Sequence, residues 1–127
     1  DDGKAREITK DHKPTSRSEF ERIHNMNGRL SKDNRVDGVL AVSRSIGDFE
    51  VYGVGREPEV GEFEIGEKDK FLVIGCDGVF DVLSNEDVAR IAVGCKSTKE
   101  AAFLIRNAAF ASKSADNISV IVVDLTN

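Results

Sequence analysis

Two apolar runs dominate the second half of the chain. Residues 71–76 read FLVIGC and residues 118–125 read ISVIVVDL, with Asp124 the one charge between them. Short runs rich in Val and Ile, bounded by charged residues and Gly, predict strands buried on both faces. Between them the period changes to that of a helix. Ser84 is a good N-cap for a helix over 85–93 that turns Val88, Ile91 and Ala92 inward and stops at Gly94. Ser97 and Glu100 have capping-box spacing, and a second helix is expected over 98–112, with Ala101, Leu104, Ile105 and Ala108 on one face.

The first half is less regular. Ser16 and Glu19 again have capping-box spacing, and Phe20 and Ile23 begin a stripe, so a helix is expected over 18–27 with Gly28 as its stop. A short strand is expected around residues 6–9, and residues 38–42 (GVLAV) form a brief apolar run. Residues 49–60, with Gly53, Gly55 and Pro58, read as a loop, and residues 49–57 are expected to be among the most mobile internal segments of the chain. Residues 61–65 alternate, Phe63 and Ile65 against Glu62 and Glu64, which predicts a half-buried strand antiparallel to 71–76. The order β-α-loop-β-β-α-α-β is not the strict alternation of a doubly wound fold. It implies an α+β protein with antiparallel sheet and packed helices.

At 127 residues the chain suits one domain. A net charge of -5 argues against nucleic acid as a partner, and no apolar run approaches the length of a membrane span. Two cysteines, Cys76 and Cys95, make no disulfide framework and suit a reducing compartment, the cytoplasm or nucleus. The beginning, DDGKAREITKDHK, is not a signal peptide and has no initiator Met, which is expected of a piece of a longer chain.

The chemistry concentrates where the apolar runs end. Asp77 closes the first, Asp81 follows four residues later, and Asp116 opens the approach to the second. A carboxylate at the end of a buried strand is costly unless it is paired or ligates a cation, and no Lys or Arg lies between 71 and 88 to neutralise Asp77 and Asp81 locally. If the strands pair antiparallel, Asp77 and Asp116 meet at one edge of the sheet with Asp81 nearby. Three carboxylates without Cys or His favour Mg²⁺ or Mn²⁺ over Zn²⁺. The plainer alternative has Asp77 starting an Asx-type turn and Asp81 solvated. His12 and His24 read as isolated, exposed histidines.

Five motifs then occur in one order: ITKDHKP at 8–14, RVDGVLAVSRSIGD at 35–48, PEV at 58–60, CDGVFDV at 76–82 and DN at 116–117. Together they resemble the metal-dependent protein serine/threonine phosphatases of the type 2C family, over nearly the whole chain. The resemblance implies a four-layer fold, two antiparallel sheets in a β-sandwich flanked by helices on both outer faces. It implies hydrolysis of phosphoserine and phosphothreonine in proteins at a binuclear Mn²⁺ or Mg²⁺ centre, with Asp77 and Asp116 as ligands and Asp81 serving a third, weaker ion. Residues 49–57 (Phe49, Glu50, Val51, Tyr52, Gly53, Val54, Gly55, Arg56 and Glu57) correspond to the flap that selects substrates and regulatory partners.

The family's D-G-H-G-G motif, its phosphate-binding Arg and its general-acid His have no counterpart here. The expectation is therefore a C-terminal portion, residues 1–127, of one catalytic domain whose N-terminal portion is absent. Such a piece is expected to be monomeric and inactive alone, with no catalytic residue of its own beyond the metal ligands. The alternative from a different class is a pseudophosphatase or binding module that keeps the fold without the chemistry.

Overall fold

The computed structural model describes residues 4–126. They fall into two compact units, one built from the chain up to Ile8 and from Phe63 onward, the other from Thr9–Glu62.

In the second of these units α1 (Arg17–Asn25) follows Ser16, whose extended backbone occupies the N-cap without a side-chain hydrogen bond. The expected capping box does not form, because Glu19 turns into the core instead. Ile23, one turn further along the same face, packs with Val36 and Val54, and Leu40 and Val51 cover this cluster. Asn27 takes the left-handed conformation that ends the helix. Gly28 is required for another reason: a Cβ there would lie 2.6 Å from the Cα of Gly53. The run at 38–42 contributes only an isolated bridge, Val36 to Leu40.

The other unit contains β1 (Phe71–Gly75), α2 (Asp77–Phe80), α3 (Asn85–Gly94), α4 (Thr98–Ala111) and β2 (Val120–Asp124). The two strands pair antiparallel, with Phe71 opposite Asp124 and Gly75 opposite Val120. Ser84 caps α3 in a complete capping box with Asp87, and Ser97 accepts from the Glu100 N–H at the start of α4. Val79, Val88 and Ile105 form the core, and Val73, Val120 and Val122 pack onto it from one face of the sheet.

The opposite face is open. Ile74 is 52% and Ile121 59% exposed. The expectation of strands buried on both faces is therefore corrected for the described residues: helices cover one face, and no second sheet is present to cover the other. For the same reason the fold is a mixed α/β arrangement rather than a four-layer sandwich within these residues. No strand forms at 61–65 or at 6–9. Phe63 and Ile65 are exposed, since an alternating segment becomes a strand only where a neighbour accepts its backbone hydrogen bonds.

Candidate metal centre

The strand register decides what meets at the end of the sheet. Pairing Gly75 with Val120 brings the chain leaving β1 beside the chain approaching β2. Three hydrogen bonds extend that contact past the strands. The Cys76 N–H donates to Ser119 O at 3.2 Å, the Ser119 N–H to Cys76 Sγ at 3.2 Å, and Cys76 Sγ to Asn117 O at 3.0 Å. Gly78 makes the approach close: a Cβ on it would lie 2.2 Å from Asn117 O and 3.5 Å from Asp116 Cβ. Asp77 and Asp116 flank this contact.

Both carboxylates are exposed, and each is held by the next residue's amide. Gly78 N–H donates to Asp77 Oδ1 at 2.9 Å, and Asn117 N–H to Asp116 Oδ1 at 2.6 Å. This is a shorter loop than an Asx turn, which would engage the amide two residues on. Among the described residues neither Asp77 nor Asp116 is ion-paired with a Lys or Arg. Two exposed carboxylates on either side of the Gly78–Asn117 contact, with no Lys or Arg set against them, are donors of the type a hard divalent ion takes. Asp81 sits four residues away at the C-cap of α2, its N–H donating to Asp77 O at 2.8 Å. Among the described residues no three His, Cys, Asp or Glu side chains gather into a metal-holding group.

The segment 49–57 divides in two. Phe49 and Tyr52 are exposed, and the Arg56 guanidinium lies 4.7 Å over the Phe49 ring. Gly53, Val54 and Gly55 are buried. Gly55 bridges in parallel to Arg44, its N–H donating to Ser43 O and its carbonyl accepting from Ser45 N–H, both at 2.9 Å. The segment is thus an exposed tip on a return held to residues 43–45 by backbone hydrogen bonds. His12 Nε2 is 2.7 Å from Glu59 Oε2, and His24 Nδ1 is 3.2 Å from Phe20 O.

Sequence reasoning missed a buried charge network. Glu19, only 2% exposed, receives Arg44 Nη2 at 2.6 Å on Oε1, and Arg22 Nη2 at 2.8 Å and Ser43 Oγ at 2.7 Å on Oε2. The Arg44 hydrogen bond is the main reason its pKa falls from 4.5 to about 2, against the opposing effect of burial. Arg22 also donates to Gly53 O at 3.0 Å and Ser43 O at 2.6 Å, and so ties α1 to the return of the 49–57 segment. The available signal was spacing: Glu19 lies one turn before the core residue Ile23, on the buried face.

Residues 1–118 match the family model described as Protein phosphatase 2C. The chain belongs to this family. It is 39% identical to "Probable protein phosphatase 2C 8" of Oryza sativa subsp. japonica, covering 97% of this chain and 35% of that protein. It is 36% identical to "Protein phosphatase 2C homolog 1" of Saccharomyces cerevisiae, covering 97% of this chain and 44% of that one. A solved phosphatase from a pathogenic strain of Toxoplasma gondii superimposes with a TM-score of 0.84 at 30% identity, over 99% of this chain and 45% of that one. The chain thus spans less than half the length of each of these three proteins.

Proposed function

We propose that this chain is the C-terminal portion of the catalytic domain of a protein serine/threonine phosphatase. In that reading Asp77 and Asp116 hold a binuclear Mn²⁺ or Mg²⁺ centre, and Asp81 serves a third, weaker ion. The observation that carries the proposal is the juxtaposition of Asp77 and Asp116 across the Gly78–Asn117 contact, in a chain of the type 2C family. When bound, the metal pair supplies an acidified water as nucleophile and Lewis acidity toward the phosphoryl oxygens.

The chain's own residues set the geometry of the ligands. Gly78 and Asn117 amides fix one oxygen of each carboxylate, which leaves the other directed by the backbone rather than by rotamer freedom. The exposed tip of 49–57, with Phe49 and Arg56 stacked, is the surface offered to phosphoprotein substrate or a regulatory partner. The open face of Ile74 and Ile121 supports a second sheet, supplied by the remainder of the domain, as the completing layer of a sandwich. Two unpaired cysteines support a cytoplasmic or nuclear setting. The 127-residue piece lacks part of the metal cage and is inactive by itself.

The test compares two proteins with a phosphoserine peptide and Mn²⁺. The natural gene product containing this chain hydrolyses the peptide, and chelation abolishes the activity. The purified 127-residue chain does not. A metal-insensitive or inactive gene product defeats the functional reading, and robust turnover by the isolated chain defeats its incompleteness.

A further inference from the structure

One flank of α4 carries a stripe that the phosphatase reading leaves unused. Lys99, Phe103, Arg106 and Phe110 follow the four-three-four spacing that aligns side chains on one face of a helix. The buried residues of the helix, Ala101, Ile105 and Ala109, lie on another face. All four stripe residues are exposed, Phe103 to 53% and Phe110 to 76%. The Arg106 guanidinium stacks 4.6 Å over the Phe103 ring and is steadied by Asn107, whose Oδ1 accepts from Arg106 Nη2 at 2.8 Å.

The charge of this face is one-sided. Glu100, the acid of α4, is turned back to the helix start, where its Oε2 accepts from the Lys96 N–H at 2.9 Å. Lys96 before the helix and Lys113 after it are exposed as well. A basic and aromatic strip therefore stands on a chain of net charge -5. Two phenylalanines one heptad apart, with cations interleaved, form the kind of seam that receives a second helix. Stacking also holds Arg106 ready, which lowers the ordering cost of contact.

We propose that the Lys99–Phe103–Arg106–Phe110 face docks an acidic amphipathic helix of a partner protein. Its apolar side chains cover Phe103 and Phe110, and its flanking carboxylates meet Lys99 and Arg106. Charge complementarity selects an acidic occupant. An anionic membrane is attracted by a dense basic cluster, whereas Lys99 and Arg106 are two cations seven positions apart.

The probe is a fluorescein-labelled peptide of about 20 residues with Leu at the seam positions and Glu at the flanks, titrated with the natural gene product containing this chain by fluorescence polarisation. Binding is expected to weaken as salt rises from about 50 to about 300 mM. A Lys99→Glu/Arg106→Glu variant and, separately, a Phe110→Ser variant each weaken it by at least about tenfold. Circular dichroism and Tm stay at the parent values, because the substituted side chains are exposed. No binding overturns the proposal, as does equal binding by the variants or by a scrambled peptide of the same composition. Tighter association with phosphatidylserine vesicles than with the peptide also overturns it, and assigns the face to a membrane.

Discussion

Glu19 and Arg44 stand 25 positions apart in the chain and meet at 2.6 Å, Oε1 to Nη2. The carboxylate is buried while the guanidinium reaches solvent at one edge. Removing the charge strands two cations, Arg44 and Arg22, around an uncharged group. Glu19→Gln is expected to destabilise the 9–62 unit by about 2–3 kcal/mol, below the about 3–5 of a fully buried pair because both arginines are partly solvated. Urea unfolding monitored by far-UV circular dichroism measures it, and a loss under about 0.5 kcal/mol would remove the network from the stabilising features.

The same carboxylate sets an acid limit. Its pKa is 4.5 when free and about 2 in the folded chain, so the folded state favours the ionised form. Its contribution is fully present above pH 4.5 and is lost as pH falls toward 2. The shift corresponds to about 3 kcal/mol. Stability measured across this window should fall more steeply in the parent than in Glu19→Gln. Parallel curves would contradict the assignment.

Gly78→Ala tests the contact beneath the metal ligands. The added Cβ would sit 2.2 Å from Asn117 O, a backbone atom that moves only with the approach to β2. The variant should lose about 2 kcal/mol or more of stability, and its Mn²⁺ affinity, measured calorimetrically in the natural gene product, should drop. Parent-like values for both would mean that the two strand ends do not need this proximity.

The carboxylates can be ranked in the natural gene product. Asp77→Asn and Asp116→Asn each should lower kcat by at least about 10²-fold, about 3 kcal/mol in the barrier, with partial recovery at excess Mn²⁺. Asp81→Asn should be milder. Asp124 lies at the other end of β2, opposite Phe71, with its Oδ1 accepting from the Thr126 N–H at 2.9 Å and from Thr126 Oγ1 at 2.6 Å. Asp124→Asn should leave kcat essentially unchanged. Equal damage from Asp124→Asn and Asp77→Asn would refute the ligand assignment.

Hydrogen exchange should divide the 49–57 segment. The Gly55 amide, bonded to Ser43 O, should exchange far more slowly than the amides of Phe49 and Tyr52 at the exposed tip. Uniformly fast exchange across the segment would mean that its buried return opens as readily as its tip.

Local rules were enough for much of the 63–126 unit. The apolar runs predict β1 and β2, which form at 71–75 and 120–124. Ser84 and Ser97 predict where α3 and α4 begin, because a cap is settled within one turn of chain. The ordered motifs identify the family, and the antiparallel pairing expected of the two runs forms. Tertiary structure decided what depends on distant partners. Ser16 and Glu19 have the spacing of a capping box, yet Glu19 is drawn inward by Arg44, whose position relative to α1 no local pattern encodes. Residues 61–65 alternate like a strand and remain irregular, because alternation specifies a face and not the neighbour that pairs with it. Ile74 and Ile121 read as core by composition and stand in the open, since burial of a sheet's second face is a property of whatever packs there, not of the strand itself.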